Sequence, residues 1–318
     1  MKNVPDKGLQ LFRSCLVSAE YPGTETSTRY VLKKLGVEFK TDRRMSCCTG
    51  LGAYYDLFDP LSTIALSARN FGIGRLTGHH NFLVLCATCY AVMKRAAGTL
   101  NSDGEIRKKV NSIFESIRLG RLCYREGDIN PAANIFHAVE LLHNKRDAII
   151  PHLTLDLSGI TVAAHPACHY YRVHYEDTIG DWSNPLLIDE IARSCGVKAM
   201  DSYKEKTLTC GAGFRQRFVN KELSLQVTLD KLRNLKENDV DVLLHMCPNC
   251  QMQYDRYQPY LERRTNEKFN IVHLNISQFV ALAMGAHPHK VVGIQTHTVP
   301  VEPLLKQLGF SYLRKSGL

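Results

Sequence analysis

Nine of the eleven cysteines in this chain fall into one pattern written twice, and that pattern restricts the possible folds more than any other feature. The first third carries Cys15, the adjacent pair Cys47-Cys48 and Cys86-x-x-Cys89, and the order nearly recurs as Cys168, Cys210 and Cys247-x-x-Cys250. From the middle element to the closing pair, Cys48 to Cys86 is 38 positions and Cys210 to Cys247 is 37. Matched spacing of this kind implies a duplicated domain. Thiolates are soft ligands and four of them commonly hold one iron–sulfur cluster, so the pattern points to iron–sulfur chemistry. Four cysteines are also a structural zinc set, and zinc stays open as an alternative in either half, although zinc knuckles usually belong to small β-rich modules. A thioredoxin-like use of C-x-x-C would leave the upstream cysteines unexplained, and plain core thiols would leave the repetition unexplained.

The 318 residues are enough for two domains, and 44% hydrophobic with 22% charged content suits ordinary cores. The N-terminal stretch has no apolar signal-peptide region and no long apolar run follows, so a cytosolic protein is expected. A reducing compartment disfavours disulfides and favours metal or redox use of the cysteines. The net charge of +9 is spread along the chain without a basic run, which argues against nucleic acid and for a solvated surface or an acidic protein partner.

Patterning gives each half the same order of elements. In the first, 9–13 reads as a strand ending at a Cys15 loop that closes with Pro22-Gly23. A helix follows over 24–35 with Gly36 as its stop, then a strand over 37–40 leading to Cys47-Cys48. Asp59-Pro60 opens a helix through 61–70, and a strand over 82–85 delivers Cys86. The second half repeats this with strands at 161–164, 197–200 and 240–244 and helices at 185–194 and 223–236, Gly196 matching Gly36. A helix near 252–263 and an apolar segment at 271–284 complete it, and 106–117 and 136–143 are helical between the repeats. The expected fold is α/β with two pseudo-repeated domains, each a small, mainly parallel sheet with flanking helices and cysteine loops at the strand carboxyl ends. The expected boundaries are a first cluster domain at 1–98, a helical connector at 99–159 and a second cluster domain at 160–318.

The lone cysteine, the cysteine pair and the closing C-x-x-C resemble the CCG domain, and two such domains in a chain of this length resemble the B subunit of heterodisulfide reductase. The resemblance is carried by Arg13-Ser14-Cys15 with Tyr21-Pro22-Gly23, Ser46-Cys47-Cys48, Leu85-Cys86-Ala87-Thr88-Cys89-Tyr90, His165-Pro166-Ala167-Cys168-His169 and Cys247-Pro248-Asn249-Cys250. It implies that Cys15, Cys47, Cys48, Cys86 and Cys89 hold a non-cubane [4Fe–4S] cluster, and that paired clusters split a disulfide. It also implies a ferredoxin-like C subunit and a flavoprotein A subunit as partners, since this chain has neither a flavin signature nor a ferredoxin run.

Two positions depart from the family pattern. Thr49 stands where the motif has glycine, with Gly50 and Gly52 nearby, and Thr209 stands where the second pair needs its first cysteine. The second site then has four thiolates, Cys168, Cys210, Cys247 and Cys250, which suit a cubane [4Fe–4S] or a [2Fe–2S] cluster. His169 is the candidate proton donor, while His165 is either a cluster hydrogen-bond donor or a local cap. Cys123 and Cys195 read as packing residues, His287, His289 and His297 as loop histidines, and Gly211-Ala212-Gly213 as small residues admitting a close backbone approach. The expected function is the substrate-side subunit of a heterodisulfide-reductase-like complex in sulfur metabolism, acting on a small or carrier-bound thiol or disulfide. The alternative is an electron-relay or quinone-reducing CCG subunit without disulfide chemistry.

Overall fold

The computed structural model describes residues 2–50, 52, 57–171, 178–213 and 215–310. Two four-stranded parallel sheets form the frame. The first comprises β1 (Leu9–Phe12), β2 (Phe39–Lys40), β3 (Asn81–Val84) and β4 (Ile135–His137) in the order β2-β1-β3-β4. The second comprises β5 (Thr161–His165), β6 (Lys198–Ala199), β7 (Val242–His245) and β8 (Val272–Asn275) in the order β6-β5-β7-β8. Strands β1, β7 and β8 are buried throughout, as expected where helices cover both faces of a parallel sheet.

In the first half the helices include α1 (Cys15–Ala19), α2 (Pro22–Lys34), α3 (Pro60–Leu76), α4 (Ala87–Ser102), α5 (Gly104–Ser116) and α6 (Ala138–Asn144). The second half has α7 (Cys168–Tyr171), α8 (Leu187–Ser194), α9 (Lys221–Glu237), α10 (Pro248–Thr265), α11 (Ile276–Ala283) and α12 (Glu302–Gln307). Gly36 and Gly196 follow α2 and α8 with φ of +69° and +86°, the left-handed conformation that stops a helix. Asp59 caps α3 by accepting from the Leu61 N–H.

Two sequence expectations change. Pro22 and Gly23 do not close a loop but open α2, because proline is well tolerated in the first turn. The stretch 136–143 is not one helix: Ile135–His137 is an edge strand on β3, and His137 then caps α6 in a capping box with Glu140. The span 99–159 is therefore largely helical but also completes the first sheet. The apolar segment 271–284 comprises β8 and α11, which meet at Asn275, and Asn275 makes the matching capping box with Gln278.

The halves pack about an approximate two-fold relation. Helix α2 of the first lies against α11 of the second, and α8 of the second lies against α6 of the first. Glu140, fully buried, accepts from Lys2 at 3.1 Å, Tyr90 at 3.2 Å and Tyr170 at 3.0 Å, so the carboxylate is compensated from both halves. At the mirrored position Gln278 accepts from Gln251 at 3.0 Å and donates to the Val292 carbonyl at 2.7 Å. Tyr21 donates to Asp255 at 2.8 Å, again across the halves.

Gly23 lies so near this seam that a Cβ there would come 1.8 Å from the Val292 carbonyl oxygen. Alanine in place of a helical glycine ordinarily stabilises by about 1 kcal/mol. Here Gly23→Ala is expected to destabilise by roughly 1–3 kcal/mol through overpacking, measured as a fall in the denaturation midpoint. An unchanged or raised midpoint would contradict this contact.

Candidate metal centres

Strand order decides where the cysteines meet. In the order β2-β1-β3-β4 the connections leave β1 and β3 in opposite directions, opening a crevice at their carboxyl ends. Cys15 follows β1 and starts α1, while Cys86 follows β3 and is the residue before α4, whose first turn contains Cys89. Cys47 and Cys48 come from the loop after β2, held by Asn70 of α3, which accepts from the Ser46 N–H at 3.0 Å and donates to its carbonyl at 3.1 Å. All five cysteines line one small cavity with Ser14, Leu16, Gly50 and Thr88.

Within that cavity the Cys48 and Cys89 sulfurs are 3.1 Å apart. The Thr49 N–H points at Cys47 Sγ (3.3 Å) and the Gly50 N–H at Cys48 Sγ (3.4 Å), so the backbone itself offers donors to sulfur. Thr49 achieves this with φ +56°, the conformation that explains the family's glycine here. Its hydroxyl donates to the Cys48 carbonyl at 2.7 Å and lies 2.9 Å from that of Thr63. Hydrogen bonds from Cys15 and Cys48 pull Cys47 down to about 3, whereas the Cys47 contact pushes Cys48 up to about 12. Cys15 and Cys89 are raised as well, first by their bonds to Cys47 and Cys48. Thiols so crowded lose one proton readily and resist losing more unless a cation enters. Five converging sulfurs exceed a tetrahedral zinc set and fit a thiolate-held iron–sulfur group.

The second centre repeats the construction. Cys168 starts α7 after β5, Cys247 precedes α10 after β7, and Cys250 lies in the first turn of α10. Cys250 lies close enough to Cys210 and Cys247 to lower the pKa of both. The Gly211 N–H points at Thr209 Oγ1 (3.3 Å), the same local contact that Thr49 makes with Cys47, so Thr209 occupies the place of the missing cysteine. A Cβ on Gly213 would lie 3.3 Å from Thr209 Oγ1 and 3.4 Å from Cys168 Sγ, which puts both beside one point. Four thiols with a threonine still fit an iron–sulfur group of lower cysteine demand.

The two centres face each other. Cys86 and Cys247, the leading cysteines of the two C-x-x-C pairs, come near each other across the domain boundary; their interaction raises the pKa of Cys86 and helps lower that of Cys247. His169, from the second half, bonds through Nδ1 to Thr88 Oγ1 of the first at 2.9 Å, and burial lowers its pKa. His165 belongs to the second centre: a ring nitrogen and the Cys210 and Cys250 sulfurs all lie within 4.8 Å of one another. Lys231 of α9, absent from the sequence expectations, is fully buried beside them. Its only signal is a comparison of the repeats, where Asn70 holds the equivalent position. Cys195 is buried at the end of α8, and Cys123 contacts the Asn111 carbonyl at 3.8 Å. His287 caps a helical turn and meets the His289 ring edge-on, and His297 bonds to Gln278 at 3.0 Å; among the described residues these histidines form no metal-binding group.

The Cysteine-rich domain family, CCG, matches residues 9–94 and 162–255, segments that contain all nine repeated cysteines. The chain is 48% identical over 97% of its length, and 98% of the relative's, to the B subunit of the ferredoxin:CoB-CoM heterodisulfide reductase of Methanosarcina acetivorans. The B subunit of the ferredoxin/F(420)H(2)-dependent CoB-CoM heterodisulfide reductase of the same organism is 29% identical over 92% of this chain and 93% of its own. Among solved structures, a hypothetical protein from Helicobacter pylori superposes with a TM-score of 0.70 at 16% identity, over 94% of this chain and 53% of that one; this similarity concerns the fold. Both cysteine-bearing halves and near-complete alignment at 48% identity make this chain a member of the CCG cysteine-rich family and, within it, of the heterodisulfide reductase B subunits.

Proposed function

We propose that this chain is the substrate-side iron–sulfur subunit of a heterodisulfide-reductase-like complex, reducing a disulfide to two thiols with two electrons and two protons. The observation that carries the reading is the convergence of Cys15, Cys47, Cys48, Cys86 and Cys89 in one cavity facing a second cysteine centre, in a chain 48% identical to a heterodisulfide reductase B subunit. The first five would hold a non-cubane [4Fe–4S] cluster, and Cys168, Cys210, Cys247 and Cys250 a cubane [4Fe–4S] or [2Fe–2S] cluster. Bound there, the clusters supply one-electron transfer and an iron site accessible to a substrate sulfur.

The chain's own residues do the rest. The Thr49 and Gly50 N–H groups hold negative charge on sulfur at the first centre. His169 is the candidate proton donor. Burial disfavours its charged form, while the negative charge of Cys247 favours the protonated form that a donor needs. Thr88 at Nδ1 fixes the ring, and an anionic sulfur formed beside it would strengthen that tendency. Electrons would come from a ferredoxin-like C subunit fed by a flavoprotein A subunit. No helix among the described residues is long and apolar enough to cross a membrane, and a cytoplasmic location is part of the proposal.

Anaerobic purification followed by iron, sulfide and zinc assay tests this reading. Iron and sulfide sufficient for two clusters are expected; iron near zero with stoichiometric zinc would sink it. In Cys48→Ser the signal of the first cluster should be lost or reshaped while that of the second persists, read by electron paramagnetic resonance. Thr209→Cys should alter the second cluster's spectrum, and an unchanged spectrum would mean that Thr209 does not stand at a ligand position.

A further inference from the structure

The two sheets share a frame but not a lining. Equivalent positions follow from register, since Phe12 pairs with Val84 and Phe82 with Ile135 in the first sheet, as His165 pairs with His245 and Leu243 with His273 in the second. Where the first half has Phe12, Val84 and Ile135, the second thus buries three histidines. Helices α3 and α9 are both 17 residues long, and their eleventh positions are Asn70 and Lys231. Each is fully buried.

Both side chains pin the loop that brings in the middle cysteine. Asn70 is bonded to the backbone of Ser46, two residues before Cys48, and Lys231 donates to the carbonyl of Leu208, two residues before Cys210, at 3.0 Å. A neutral amide does this work at the first centre, so pinning alone does not call for a charge at the second. Lys231 also donates to the Lys206 carbonyl at 3.2 Å and meets His165 Nδ1 at 3.1 Å. Three acceptors match the three N–H bonds of an ammonium group. With Nδ1 accepting, a neutral His165 carries its proton on Nε2.

Burial pulls Lys231 down to about 7, while Cys210, Cys250 and Glu205 favour its charged form and Lys206 opposes it. An anionic cluster on those cysteines adds to the side that favours charge. A buried cation acts strongly at short range in a medium of low polarity. Reduction adds negative charge to a cluster, and net charge and hydrogen bonds to sulfur are main determinants of cluster potential.

We propose that Lys231 is a built-in positive charge that makes a cluster at the second centre easier to reduce than one at the first, with His165 positioned beside it as an N–H donor. The inference rests on the reading that both centres hold iron–sulfur clusters. Lys231 is a positioning residue: it acts on the cluster through its field. The arrangement gives electrons a resting place at the four-cysteine centre, next to the five-cysteine centre where substrate would be reduced.

The test is a redox titration of the anaerobically purified protein followed by electron paramagnetic resonance, with the second centre's signal assigned by its loss in Cys210→Ala. Lys231→Gln keeps an amide able to pin the loop, as Asn70 does, and removes the charge. The expected result is a lower midpoint for the second cluster and an unmoved midpoint for the first. In the wild type the second cluster should titrate above the first, a measurement that decides the matter if the variant fails to retain its second cluster. Unmoved midpoints in Lys231→Gln with both clusters present, or a reversed order in the wild type, would overturn the inference while leaving the cluster reading intact. A protein that holds zinc instead would overturn both.

Discussion

Crowding of sulfur is the constraint around which this molecule is arranged. Cys48 and Cys89 stand 3.1 Å apart inside one small cavity, and three more thiols share it. Such a group cannot become fully anionic without positive charge to hold it, which is why Cys47 falls to about 3 while Cys48 rises to about 12. The backbone answers part of the demand by turning two N–H groups toward sulfur through the left-handed Thr49. The proposed cluster answers the remainder. The parallel sheet makes the crowding possible, because its topological switch delivers cysteines from several loops to one crevice.

Duplication then gives two such crevices, and the packing of the halves turns them toward each other. Helices exchanged across the seam, the buried Glu140 with its donors from both halves and the contact of Gly23 with Val292 all hold the Cys86–Cys247 meeting point in place. The frame is symmetric and the chemistry is not. Five cysteines and an apolar strand lining at one centre oppose four cysteines, Thr209, His165 and Lys231 at the other. In the proposed reading the four-cysteine centre would hold electrons and the five-cysteine centre would pass them to substrate.

Much of this was legible in the sequence, for identifiable reasons. The β-Cys-α alternation, the stops at Gly36 and Gly196 and the cap at Asp59 are local signals, and the elements they mark lie where expected. The edge strand Ile135–His137 is three residues long and runs directly into α6 with no glycine or proline between, so its pattern merges with the helix. Pro22-Gly23 looks like a turn, and only the close approach of Val292 explains a glycine inside that helix. Gathering of the nine cysteines followed from their spacing, whereas the Cys86–Cys247 contact joins residues of different halves and leaves no local trace. Lys231 was hidden for a further reason: a lysine within a charged helix reads as a surface residue until its repeat partner, Asn70, is seen to be buried as well.

Two unlike clusters set side by side across the domain boundary, as proposed, must interact magnetically. Electron paramagnetic resonance measures that interaction when the protein is poised so that both clusters are paramagnetic. Split or broadened signals are expected, becoming simple when either cluster is removed by substitution of its cysteines. Two independent, unbroadened signals in the intact protein would contradict the side-by-side arrangement.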